Sequence, residues 1–86
     1  MTKEMQVLMI LYQIPKGKMV TVDKIKEHTN MSKQDITMIL HNLGILVHSE
    51  RIIVNNKFMR GRKSVYELSD FGIKKMNYWE AQGKLN

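Results

Sequence analysis

The stretch Ile52-Ile53-Val54-Asn55-Asn56-Lys57-Phe58-Met59-Arg60-Gly61-Arg62-Lys63-Ser64-Val65-Tyr66-Glu67-Leu68 sets two β-prone runs on either side of a cationic segment with a glycine in its middle. Such a segment reads as a hairpin with Arg60-Gly61 at its turn. Pairing from that turn sets Ile53 opposite Leu68, Asn55 opposite Tyr66 and Lys57 opposite Ser64. Side chains alternate between faces, so this register gathers Ile53, Tyr66 and Leu68 on one inward face. Between Lys57 and Lys63 stand Lys57, Arg60, Arg62 and Lys63 with no acid. A tip of that composition is poorly suited to a core and well suited to phosphates. A solvated loop kept for solubility has the same composition, so the rest of the chain has to discriminate.

Charge is distributed in the same sense. The 86-residue chain has a formal net charge of +6 and a pI near 9.7. Residues 1–50 contribute +1 of that charge and residues 51–86 contribute +5. From Arg51 through Lys63 there are five cations and no acid, an asymmetry that favours a polyanionic partner. The length suits one domain with a small core, which a second copy could supplement. There is no cysteine, so disulfides and thiolate metal sites are excluded and a reducing, cytoplasmic location is expected. The apolar run Val7–Tyr12 is too short for a membrane span. The eight methionines suit flexible filling of a small core.

Upstream of the hairpin the pattern is helical. Residues 2–14 read as a first helix with Thr2 as N-cap and Pro15-Lys16-Gly17-Lys18 as its stop. Met5, Leu8, Leu11 and Tyr12 form one apolar stripe; Val7, Ile10 and Ile14 form another. Two stripes suit a helix buried by its own domain on one side and by a second copy on the other. A helix clasped wholly within its own domain gives the same pattern. Met19-Val20-Thr21 reads as a short strand, and Thr21 as the cap of a helix over residues 22–29 with Asp23 at its positive end.

A third helix starts at the N-cap Ser32, with Asp35 in the role that Glu takes in a capping box. Ile36, Ile39, Leu40 and Leu43 form its buried stripe, and Gly44 ends or bends it. Its outward face carries Lys33, Gln34, Thr37, Met38, His41 and Asn42. Ser69-Asp70 opens a last helix over residues 70–82, with Phe71, Ile73, Met76 and Trp79 on its apolar side and Gly83 as its stop. The layout is three helices, a hairpin and a C-terminal helix: an α+β, mainly helical, single domain spanning residues 1–86.

Two segments of this layout resemble a known family. Residues 25–40, with apolar anchors at Ile25, Met31, Ile36 and Leu40 and Asn30 where glycine is usual, resemble a helix-turn-helix. They depart from it at Lys26, where a small residue is usual, and at Thr29, where leucine is common. Residues 61–72, GRKSVYELSDFG, look like the segment running from wing to last helix in winged helix-turn-helix regulators of the MarR and PadR class. The whole resembles a shortened member of that class.

The resemblance implies a double-stranded DNA partner and a role as a small transcriptional regulator, expected to be a repressor. The third helix would lie in the major groove, where Lys33, Gln34, Thr37, Met38 and His41 face base edges. Ser32 and the free N–H groups beside it suit a phosphate. Arg60 and Arg62 would probe a minor groove, and Lys57 and Lys63 would hold its flanking phosphates. Terminal helices dimerise in those families, so Leu8, Met9, Met76 and Trp79 are the expected homodimer surface. Competing readings are a protein-binding adaptor and a DNA-binding accessory of replication or packaging without sequence preference. His28, His41 and His48 fall on three different segments, and no metal or other cofactor is expected. No nucleophile elbow, phosphate-cradling glycine loop or convergent pair of acids is present, so an enzyme is not expected.

Overall fold

The computed structural model of the chain describes residues 2–44, 50–57 and 64–84, with the backbone alone at 56 and 57. Helices α1 (Lys3–Gln13), α2 (Val22–Lys26) and α3 (Lys33–Leu43) precede strands β1 (Ile53–Lys57) and β2 (Ser64–Leu68), and α4 (Asp70–Ala81) follows them. The result is a small α+β unit, mainly helical, with one antiparallel hairpin among the described residues.

Hydroxyl caps start all four of these helices. Thr2 Oγ1 accepts the Met5 N–H at 3.1 Å, Thr21 Oγ1 that of Lys24 at 3.3 Å, Ser32 Oγ that of Asp35 at 3.1 Å and Ser69 Oγ that of Gly72 at 2.9 Å. Each satisfies an amide that has no intrahelical partner. Of the capping box expected at α3, the Ser32 half is present. Asp35 is one methylene shorter than Glu, and its Oδ2 lies 3.4 Å from Lys3 Nζ of α1.

The stops are equally local. Pro15 O accepts the Lys18 N–H at 3.1 Å, and Gly17 has φ +90°, as the third residue of a type II turn requires. At the end of α4 the Lys84 N–H reaches Trp79 O at 2.9 Å and the Gly83 N–H reaches Glu80 O at 3.0 Å. Together with φ +71° at Gly83, these bonds make a Schellman motif. It closes α4 at Ala81, one residue before the expected end.

Helix α2 is shorter than residues 22–29. Beyond Lys26 the bonds tighten to i→i+3, from His28 N–H to Ile25 O at 3.0 Å and from Thr29 N–H to Lys26 O at 3.1 Å. Thr29 Oγ1 then accepts the Met31 N–H at 3.1 Å. The threonine that departs from the helix-turn-helix pattern thus makes the turn with its own hydroxyl.

The hairpin register is the one that the Arg60-Gly61 turn implies: Ile53↔Leu68, Asn55↔Tyr66 and Lys57↔Ser64. The expected short strand around Val20 is a single bridge to Tyr66, closed by bonds of 2.9 and 2.7 Å. It ties the segment between α1 and α2 to the outer edge of β2.

One core unites these elements: Val7, Leu8 and Leu11 of α1, Ile25 of α2, Ile36, Ile39 and Leu40 of α3, Ile53, Tyr66 and Leu68 of the hairpin, and Met76 of α4, with Met31 from the turn. Burial cuts across both stripes of α1, which touches all three other helices and β2, so α1 is clasped by its own domain. Two members of the expected dimer surface are thereby corrected. Leu8 is 3% exposed and Met76 0% exposed, so both are occupied inside the chain and offer no surface to a second copy. Met9 and Trp79 are half-buried against the same core. Among the described residues, no helix is long and apolar enough to cross a membrane.

Candidate nucleic-acid interface

With Ile36, Ile39 and Leu40 buried, the helical period turns Lys33, Gln34, Thr37, Met38, His41 and Asn42 to the surface, and all six are exposed. Met38 is 59% exposed, one of two large apolar side chains so open among the described residues; the other is Tyr78 on α4. Ser32, also exposed, is engaged as the α3 cap. Thr37 Oγ1 donates to Lys33 O at 2.8 Å, which commits its proton to the helix and leaves its lone pairs and methyl group outward.

Lys33 is more constrained than a free base reader. Its Nζ lies 2.5 Å from Asp23 Oδ1, which holds the cation at the corner between α2 and α3. Both partners are about half exposed or more, so the pair adds little to stability and acts mainly to restrict where the lysine points.

A cleft runs between α3 and the hairpin. One part, about 360 Å³, is lined by Thr37, Leu40, His41 and Gly44 on the helix side and by Arg51, Ile53, Asn55 and Tyr66 on the strand side. A second part, about 370 Å³, is lined by Thr21, Val22, Asp23, Lys33, Thr37, Ser64 and Tyr66. Thr37 and Tyr66 line both parts, so the two adjoin at these residues.

Arg51 and Asn55 were not among the site residues expected from sequence. The only signal for Arg51 was its place at the start of the acid-free run, and for Asn55 its position opposite Tyr66. The fold fixes Arg51 from behind. Ser69 Oγ, at the start of α4, donates to the Arg51 carbonyl, and the Ser69 N–H bonds Ile52 O at 2.9 Å. The arginine side of the cleft is thus pinned to the cap of the last helix.

Of the cationic tip, Arg60, Arg62 and Lys63 lie outside the described residues. Lys57 pairs with Ser64 through the backbone, and its side chain lies outside the description. The described histidines do not converge. His41 lines the cleft and His28 lines a separate apolar hollow between α1 and α2, while His48 lies outside the described residues. Among the described residues no group of three or more His, Cys, Asp or Glu is gathered as metal ligands would be.

Comparison with models of known protein families, with curated proteins and with solved structures found no match to this chain.

Proposed function

We propose that this chain is a small winged helix-turn-helix protein that binds double-stranded DNA sequence-specifically and regulates transcription. Helix α3 enters the major groove and presents Gln34, Thr37, Met38 and His41 to base edges. The hairpin is the wing, and its tip, Lys57 with Arg60, Arg62 and Lys63, adds phosphate and minor-groove contacts. The observation that carries this reading is the cleft shared by Thr37 and Tyr66. Residues of the exposed face of α3 and of the hairpin that leads to the basic tip line it together. Gln34 suits adenine, with its amide donating and accepting in the bidentate manner, and the Met38 side chain suits a thymine methyl.

A homodimer on a pseudo-palindromic site completes the proposal, with two α3 helices roughly 34 Å apart along the duplex. Met9 and Trp79 are what remains of the expected interface, since Leu8 and Met76 belong to the core.

Selection of bound duplexes from a random pool, followed by titration at two salt concentrations, tests the proposal. A recovered palindrome with salt-dependent affinity supports a dimeric regulator. Tight binding without a motif replaces regulation with sequence-independent DNA binding. Absence of binding at low salt removes nucleic acid as the partner and leaves the adaptor.

A further inference from the structure

The cleft between α3 and the hairpin has a geometric consequence that rests on the DNA-binding reading. A helix in the major groove and a wing tip in the adjacent minor groove straddle one sugar-phosphate strand, because that strand is what separates the two grooves. The strand must then pass between helix and hairpin. Among the described residues, the route between α3 and the base of the hairpin runs along the wall shared by Thr37 and Tyr66.

We infer that this cleft is a track for one DNA backbone strand, and that Arg51 with His41 forms a phosphate clamp at its inner end. Arg51 and His41 both line the α3–β1 part of the cleft, and among the described residues no acid lines that part. Both residues are exposed, so neither is consumed by the core. Asn55 lines the same part, with an amide NH2 that donates to phosphate and sugar oxygens. Arg51 presents a rigid fork of donors matched to a phosphate, and its backbone is fixed by the Ser69 hydroxyl. At the other end of the track stands Lys33, held by Asp23 and flanked by Ser64. This assigns Arg51 a docking role and moves Lys33 and His41 from base reading toward the backbone.

The experiment uses the full chain and a duplex recovered by selection. Binding is titrated against salt for the unsubstituted protein, Arg51→Ala and Arg51→Lys. Single phosphates are also replaced in turn by uncharged methylphosphonates. Arg51→Ala is expected to weaken binding about tenfold or more on every sequence, as for one charge-assisted hydrogen bond. The salt slope should fall by about 0.9 for each bound subunit, the share of one phosphate, and Arg51→Lys should keep the slope. One methylphosphonate position in each half-site should weaken the unsubstituted protein and have no effect on Arg51→Ala. That position tests the clamp without altering the protein, so a folding defect cannot mimic it. An unchanged slope and an unchanged methylphosphonate pattern in Arg51→Ala overturn the clamp while DNA binding stands. Failure of the unsubstituted chain to bind any duplex at low salt overturns the DNA reading and the clamp together.

Discussion

Gly72, in the first turn of α4, lies against the Ile52 carbonyl so closely that a Cβ at Gly72 would overlap the oxygen. Its backbone N–H is already committed to the Ser69 hydroxyl at 2.9 Å, and Ser69 in turn bonds back to Arg51 and Ile52. The start of α4 and the approach to β1 therefore form one backbone joint, with no room for a side chain at Gly72.

That joint sets the first expectation. Gly72→Ala should destabilise the protein by about 2 kcal/mol, because backbone has to move to admit the methyl group. The expected helix-propensity gain of alanine over glycine, about 1 kcal/mol, is too small to offset it. Chemical denaturation monitored by far-UV circular dichroism measures the difference; an equal or higher midpoint would mean that the joint opens without strain.

The two serine caps should differ. Ser32→Ala removes one capping bond and should cost about 1 kcal/mol. Ser69→Ala also removes the link to Arg51 and Ile52, so it should cost more, about 2 kcal/mol. Denaturation midpoints for the two variants under one set of conditions check the order, and Ser32→Ala proving the costlier would contradict it.

Met76→Ala should destabilise by about 2–5 kcal/mol, the range for truncating a fully buried side chain. Its effect belongs to the monomer's core. The unfolding midpoint should therefore fall by the same amount at every protein concentration, as thermal melts over a dilution series would reveal. A deficit that appears only in dilute solution would return Met76 to an interface.

The proposed DNA surfaces should separate by variant. Arg60→Ala with Arg62→Ala should weaken binding on all sequences and flatten the salt dependence by about 0.9 for each phosphate no longer neutralised. Gln34→Ala should change the selected motif at one base pair, at about 1–3 kcal/mol of discrimination. Repeating the duplex selection with each variant gives the comparison. If both sets change the motif in the same way, the division of roles is wrong.

Much of this architecture was legible in local sequence because its determinants are local. A hydroxyl before an apolar stripe caps a helix wherever that helix sits, which is why Thr2, Thr21, Ser32 and Ser69 are readable without the fold. The register Ile53↔Leu68 followed from a turn position and the strand's period of two, since a slip by one residue would expose the whole inward face. The outward face of α3 followed from the period of its buried stripe.

What depends on distance in sequence needed the tertiary structure. Apolarity alone does not say whether a stripe meets its own chain or another, and packing put Leu8 and Met76 in the core. Local side-chain chemistry also escaped the pattern: after α2 ends at Lys26 the Thr29 hydroxyl takes the Met31 amide, a preference that hydrophobic periodicity does not carry. Lys33 finds Asp23 only once α2 and α3 pack together, and Arg51 and His41 line one cavity only once α3 and the hairpin share the core. Sequence spacing fixes the faces of each element; which faces meet is decided by the simultaneous burial of all of them in one small core.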